Sequence, residues 1–453
     1  MFLADQGRDA VIIRRIILFQ KFPLIGPPSS IGEVFLGPFY YYLVSPFLWV
    51  FHSNPVGLAI GVGLISVGAT ALIYYLVSKI VSRGVAFIFS LIITFSALFV
   101  DIGRFSWNPN PLPYFAFITL SLFFLSLHGK RKMLYSILFG ILFGLSFQLH
   151  HLAALLIVPV VLYFIMFLFK KRDFSVIRTS FISGIGFVLT LSPFVIFELR
   201  HNFLNIHNLT SLFTKQNVVS SGPLTNRFID VTSAAIQFAL HISVPTYVAC
   251  IIAFAVVVLT IHILFKKKEN PFITFQLITF ISLLFVLSRV NAQAIPHYFH
   301  TVYMSFYFLL SYILFTLMKT KFKFISVIGI LFFIVVQAQS YYFIFGAPSR
   351  QYEVPERVGK EIATAANGKR INLTTYPTDF TSRDCYQYYV ELYGGSVVDG
   401  ASNEVTNTLF VLCDKKPCRI INSDSWNIQM FGKAKIDTMW KKDGIYIYKL
   451  IHQ

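Results

Sequence analysis

Two carboxylates stand at the start of the chain. Asp5 and Asp9 lie four residues apart in Asp5-Gln6-Gly7-Arg8-Asp9, a spacing that puts both on one face of a helix beginning there. One of them could take the proton from an attacking hydroxyl as general base. Arg8 between them, with Arg200 and Arg289 further along, could hold a phosphate, because the guanidinium fork matches its oxygens. His150 and His151, adjacent at a bare corner, could add hydrogen bonds or positive charge. Each of these has a plainer reading. Asp5 and Asp9 could simply cap a helix, the histidine pair could be an interfacial polar cap, and Tyr40-Tyr41-Tyr42 reads as an aromatic belt at headgroup level.

These residues must be positioned by elements of unusual composition. The chain has 453 residues, 56% apolar, 17% aromatic and only 13% charged, with a net charge of +18 and a mean hydropathy of +0.67. Average soluble proteins carry about 25% charged residues, so one soluble core does not need this much hydrophobicity, and disorder is excluded. No Walker loop, Rossmann glycine run or G-x-S-x-G elbow occurs. A basic balance on so few charges fits membrane loops and not nucleic acid.

Apolar stretches lie at roughly 55–78, 84–100, 112–128, 133–149, 152–169, 176–197, 244–265, 272–288, 298–318 and 322–345. Most approach the ~20 residues that cross a bilayer as a helix. This predicts an α-helical polytopic membrane protein of about ten spans, with a further apolar aromatic helix at 35–52 in or along the membrane. The connections at 79–83, 129–132, 170–175, 266–271 and 319–323 hold 14 Lys/Arg in 26 residues, and the opposite connections hold 9 in 122. Basic loops stay in the cytoplasm, which puts 1–54, the 198–243 loop and everything after about 346 outside. Ten spans with both termini outside leave 1–54 without a preceding span to carry it across, so the expectation is that Met1 is internal to a longer natural frame.

On this topology the polar residues gather on the outer face. They include Glu33 in the first loop, Asn108 in Ser106-Trp107-Asn108-Pro109-Asn110, then His150 and His151. Further on come Glu198, Arg200 and His201 where the sixth span ends, and Arg289 and His297 at the last mouth. Within the stretches the only Asp, Glu, Lys or Arg are Arg178 and Lys323, each near a cytoplasmic end, so no proton relay or ion path is marked. The expected site is at the outer interface.

After residue 346 the chain turns polar and turn-rich. A helix is expected at 355–366, strands at 370–375, 408–413 and 444–450, and a helix at 383–393. The result is three regions: a first outer loop 1–54, a transmembrane domain 55–345 and a small extracytoplasmic α/β domain 346–453. Cys413 and Cys418 bracket Asp-Lys-Lys-Pro, a spacing open to a small disulfide loop outside the cell. No second Cys/His pair at ligand spacing points to a structural metal.

Asp5-Gln6-Gly7-Arg8-Asp9, Gly26-Pro27-Pro28 and Gly37-Pro38-Phe39-Tyr40-Tyr41-Tyr42 together resemble the first outer loop of the GT-C glycosyltransferases. The similarity is to the family-39-like branch, which includes protein O-mannosyltransferases and the lipid A aminoarabinose transferase. Ser106-Trp107-Asn108-Pro109-Asn110 and Phe197-Glu198-Leu199-Arg200-His201 also look like bacterial members. The resemblance implies an acidic base in the first outer loop, Asp5 or Asp9, and a polyprenyl-phosphate-linked sugar as donor. It also implies a lipid, glycan or protein acceptor and a soluble outer C-terminal domain. This chain departs from the pattern in lacking the first span and the adjacent acidic pair of some relatives. The mechanism expected is a single inverting displacement at the plasma membrane's outer face. In it Arg8, Arg200 and Arg289 stabilise the leaving phosphate, and Glu33, Asn108, His150, His151, Glu198, His201 and His297 line the substrates. No cofactor is required by the motifs, while outer Asp, Glu and His leave a weakly held divalent cation open. The rival class is a transporter or flippase of a lipid-linked sugar. It would show charges near mid-span or Gly/Pro-broken helices in matching halves.

Overall fold

The structure is a computed structural model that describes residues 2–29, 34–173, 175–215, 223–266, 270–290, 294–348, 350–377, 382–400, 402–415, 418, 420–421 and 423–453. In chain order the larger helices up to residue 338 are α1 (Ala4–Ile17), α2 (Phe39–Val50), α3 (Val56–Ile80), α4 (Arg83–Phe95), α5 (Ala97–Ile102), α6 (Leu112–His128), α7 (Lys132–Leu149), α8 (Ile157–Lys171), α9 (Ser175–Thr190), α10 (Ser192–Arg200), α11 (Leu204–Lys215), α12 (Leu224–Leu240), α13 (Thr246–Lys266), α14 (Pro271–Leu287), α15 (Tyr303–Met318) and α16 (Lys323–Ala338). The chain divides into two compact units. One holds residues 1–22, 41–59 and 347–453, the other 23–40 and 60–346.

The second unit is helical, and every apolar stretch of the sequence carries helix in it. Among the described residues four helices are long and apolar enough to cross a membrane: α3, α7, α13 and the continuous segment His151–Lys171. The pair α9–α10, bent by 58°, makes a fifth if it is one span, and α4, α6, α14, α15 and α16 are apolar helices of 13 to 17 residues. Two expected single helices are broken for visible reasons. The stretch at 84–100 stops at Ser96, whose hydroxyl pairs with that of Tyr307 at 2.8 Å. The following Ala97 N–H leaves the helix to donate to Gln337 Oε1 at 2.9 Å. The stretch at 176–197 breaks ahead of Ser192-Pro193, where proline removes a donor and α10 starts afresh.

Packing in this unit follows side-chain size. A Cβ on Gly140 would strike the Ser183 carbonyl and one on Gly186 the Ile137 carbonyl, so α7 and α9 touch backbone to backbone. Small residues at a helix interface allow that approach where no water drives association. Elsewhere Phe89, Phe117, Phe272 and Phe308 from α4, α6, α14 and α15 interlock with centroids 5.0 to 6.1 Å apart. The segment 198–243 also contains two helices that the hydropathy did not mark, α11 and α12. The second buries Val231, Ala235, Ile236 and Ala239 along one face.

The first unit contains the C-terminal α/β fold. Strands β1 (Arg370–Thr375), β2 (Ser396–Val397), β3 (Thr408–Cys413), β4 (Ala434–Lys442) and β5 (Ile445–His452) form one sheet in the order β2-β1-β3-β5-β4. The β2, β1 and β3 pairings are parallel, and β5 pairs antiparallel with β3 and β4. Every residue of β3 is buried, the pattern of a central strand covered on both faces. Helices α17 (Glu353–Ala366) and α18 (Arg383–Leu392) supply Val358, Ile362, Tyr386 and Val390 to one layer, with Ile371, Leu373, Phe410 and Leu412 of the sheet. Ile420, Ile428 and Phe431 cover Leu409, Val411 and Leu450 on the other side. Cys413 and Cys418 form a disulfide.

This agrees with the expected elements except at three places. The helix Trp426–Phe431, the two-residue β2 and the whole of β4 were not foreseen. Strand β4 is mostly exposed and has no apolar run to announce it. Its partner is joined through Asp443-Gly444, both at positive φ (47° and 87°), the two-residue hairpin turn those types favour.

Candidate active site

The carboxylates are presented by α1, in the first unit. Its N-terminal Leu3 N–H donates to Gln6 Oε1 at 3.0 Å, so a glutamine and not an aspartate closes the helix start. Asp5 and Asp9 are free for another purpose, and both turn to Arg8. Its Nε and Nη2 donate to Asp9 Oδ1 at 2.9 and 2.8 Å, and its Nη1 donates to Asp5 Oδ1 at 2.8 Å. Three of the five guanidinium N–H bonds are thereby used, and the Tyr41 hydroxyl lies within reach of the same guanidinium.

The two carboxylates differ in environment. The Asp5 side chain is 42% exposed and that of Asp9 is 0% exposed, with Arg8 between them at 23%. Burial lifts the Asp9 carboxyl to about 6 even though Arg8 pulls it down. Burial also works against the Arg8 charge, but Asp9, Tyr41 and Asp5 outweigh it and hold the guanidinium above its ordinary value. Asp9 Oδ2 and the Tyr41 hydroxyl make no hydrogen bond of standard geometry among the described residues. They lie close enough to act on each other's ionisation. Tyr41 was read as part of an aromatic belt; its burial beside Asp9 could have been suspected only from its place in the Gly37–Tyr42 motif.

In the second unit the polar residues expected at the site form two groups. Asn108 Nδ2 donates to the Leu149 carbonyl at 2.8 Å, which ties the Trp107–Asn108 loop to the corner at His150. There the ring of His297 stands edge-on to Trp107, His150 and Tyr298, with centroids 4.7, 5.6 and 4.6 Å away. His150 Nδ1 accepts from Leu152 N–H at 3.2 Å, and His300 Nδ1 bonds the Pro109 carbonyl at 2.8 Å. Burial keeps both rings neutral, His150 well below its usual value and His300 at about 3. Trp107, Tyr298 and His300 were not among the expected site residues, although each stands in a segment that supplied one. His151 packs on Phe147 at 5.6 Å.

The other group lies at the end of α10. Glu198 is 3% exposed, and its two oxygens accept from Asn205 and Ile206 N–H at 3.2 and 3.1 Å. The carboxylate therefore caps α11, where its charge also meets the positive end of the helix. His201 stacks on Phe197 at 4.0 Å and bonds its carbonyl, Arg200 is exposed and Arg289 is half-buried. Glu33 lies outside the described residues.

Asp5 and Asp9, the pair best placed to attract a divalent ion, already share a guanidinium. Among the described residues no three His, Cys, Asp or Glu side chains are grouped as ligands.

In one chain, a helical unit and an α/β unit that carries the helix with Asp5 and Asp9 make a fold like that of the GT-C membrane glycosyltransferases. Residues 36–197 match the family model described as dolichyl-phosphate-mannose-protein mannosyltransferase. The chain is similar over 99% of its length to ArnT from Cupriavidus metallidurans bound to undecaprenyl phosphate, with a TM-score of 0.61, 11% identity and 94% of that chain covered. It is similar to the Archaeoglobus fulgidus oligosaccharyltransferase in its apo form, with a TM-score of 0.53 and 15% identity over 87% of this chain and 60% of that one. It is also similar to AglB of the same archaeon with an inhibitory peptide and a dolichol-phosphate, with a TM-score of 0.51 and 13% identity over 98% of this chain and 70% of that one. Among curated proteins, none matches the chain in sequence.

Proposed function

We propose that the protein moves a sugar from a polyprenyl-phosphate donor to an acceptor hydroxyl at the outer face of the plasma membrane. The ten apolar helices are its spans, and the C-terminal α/β segment lies on the outer side with 1–54. The observation that carries this reading is the Asp5–Arg8–Asp9 arrangement, an exposed carboxylate fixed by a guanidinium that a sealed carboxylate holds from behind.

Only Asp5 is reachable by an acceptor, so Asp5 is the base and Asp9 is not. The acceptor hydroxyl gives its proton to Asp5 as its oxygen forms a bond to the anomeric carbon. The bond from that carbon to the phosphate oxygen breaks, the electron pair leaves on the phosphate, and one displacement inverts the sugar carbon. The Arg8 guanidinium is proposed to meet a developing phosphate oxygen, with Arg200 and Arg289 as further cations for it. Polyprenyl phosphates are bound in the structures of ArnT and AglB with ligand, which supports that donor class here. The acceptor is a lipid, a glycan or a protein.

One observation favours a second reading. The bent pair α9–α10 is a broken span of the kind found in transporters, so a flippase of a lipid-linked sugar is the alternative. Membranes containing the chain, given a radiolabelled polyprenyl-phosphate sugar and an acceptor extract, separate the two. Transfer yields free polyprenyl phosphate and a labelled product of inverted anomeric configuration. Movement of intact donor between leaflets without cleavage would replace the transferase reading by the flippase.

A further inference from the structure

The helix that carries the carboxylates does not stand alone. In the first unit α1 lies along α18 of the C-terminal segment, and three independent contacts fix it there. At the N-terminal end the Cys385 thiol donates to the Leu3 carbonyl at 3.2 Å. One turn on, the two backbones meet: a Cβ added to Gly7 would come within 2.6 Å of the Cys385 backbone nitrogen and 2.8 Å of its sulfur. At the other end Arg15 donates to Glu391 at 2.7 Å and pairs with Asp399 at 2.7 Å, its side chain only 17% exposed. Gly7 lies between Asp5 and Arg8 in sequence, so the point of closest approach falls inside the catalytic turn itself.

A helix of 14 residues with a glycine at its fourth position gains little from propensity. Its place is set by what it packs on. Contacts at both ends and in the middle determine its position along α18 and its rotation about its own axis, and the rotation decides which of its faces presents Asp5. We infer that α18 is the positioning element of the active site. Through Cys385 and Glu391 the C-terminal segment holds α1 in the register and rotation that aim Asp5, so this segment is part of the catalytic apparatus. The inference rests on the transferase reading given above. Cys385 and Glu391 are positioning residues, acting on the reaction through α1.

The experiment uses the full chain in membranes. Leu3→Cys, at the residue whose backbone carbonyl accepts from the native Cys385 thiol, reports docking by a disulfide that forms under mild oxidation and is reversed by dithiothreitol. It is expected to crosslink and to keep transferring sugar while locked. Gly7→Ala in the same background wedges the backbones apart. It should lose the crosslink and lower kcat by about tenfold to a hundredfold, in line with the cost of misplacing a reacting group by about 1 Å. The KM for the polyprenyl-phosphate sugar should change much less than kcat, because Arg8, the proposed donor contact carried by α1, meets charge that develops on the phosphate in the transition state. Glu391→Gln, which keeps the shape and removes the charge for Arg15, should show the same kcat-selective loss in milder form, and a melting curve for each variant identifies one that has merely unfolded. Full transfer by a folded Gly7→Ala chain that no longer crosslinks would overturn the inference, as would loss of transfer on locking the Leu3→Cys chain. Absence of transfer from the unmodified chain, with the crosslink still formed, would count against the transferase reading and not against the docking.

Discussion

Arg8 sets both its Nε and its Nη2 on the same carboxylate oxygen of Asp9, at 2.9 and 2.8 Å. A fork closed on one oxygen uses the inner edge of the guanidinium and turns the remaining Nη1 toward Asp5. The buried acid thus determines where the exposed one is held. This division of labour between two carboxylates on one face of α1 is the basis for the predictions that follow.

Replacing Arg8 by Lys keeps the charge and loses the fork. A lysine ammonium is a point charge on a flexible stem and cannot span two carboxylates in fixed geometry. Arg8→Lys should lower kcat for sugar transfer by about ten- to a hundredfold with the protein still folded, measured as product formed per turnover in membranes.

Asp9 should weaken the fold as it ionises. Its carboxyl is lifted to about 6 from 3.8, so the fold prefers it protonated. The associated stability is complete below about pH 4 and is lost as pH rises through 6. Asp9→Asn, which imitates the protonated form, should raise stability at pH 8 and change it little at pH 4. Transfer should fall, because Arg8 loses its ionic anchor. Melting temperatures of both chains across that pH range test the sign.

Glu198 was expected to touch substrate, and its oxygens are spent on the start of α11. Glu198→Ala should cost about 1–2 kcal/mol of stability, the usual price of a lost cap, with kcat in the folded fraction unchanged. Thermal melting and transfer measured on one preparation separate that outcome from a catalytic role.

His150 and His300 are held neutral by burial, so they offer hydrogen bonds and not charge. His150→Gln should retain transfer within about tenfold, and the pH–rate profile between pH 6 and 8 should show no limb that the variant removes. A loss restored only by a permanent cation, as in His150→Lys, would mean that the ring acts charged.

Much of this architecture could be read in the amino-acid order, because lipid and core impose patterns on it. The apolar stretches carry helices, and Thr408–Cys413 is a continuous apolar run that becomes the central strand. What escaped has a physical cause in each case. Strand β4 is an exposed edge, so its residues alternate for no core, and only Asp443-Gly444 hinted at a hairpin. The break at Ser96 depends on Gln337, some 240 residues away, beyond any local pattern. At the site, the i,i+4 spacing placed Asp5 and Asp9 on one face, but spacing carries no information about burial. Which of them faces solvent is decided by Tyr41 and by the packing of α1 on α18. The close approach of Gly7 to Cys385 needs a partner 378 positions on.

The most direct measurement is single-turnover transfer from a labelled polyprenyl-phosphate sugar, comparing Asp5→Asn with the unmodified chain. A positioned general base contributes about 10²- to 10⁴-fold, so Asp5→Asn should lose at least a hundredfold of the rate while binding donor with unchanged affinity. Asp9→Asn, whose carboxylate no acceptor can reach, should lose less. A fully active Asp5→Asn chain, or one in which Asp9→Asn alone abolishes transfer, would contradict the assignment of the exposed carboxylate as the base.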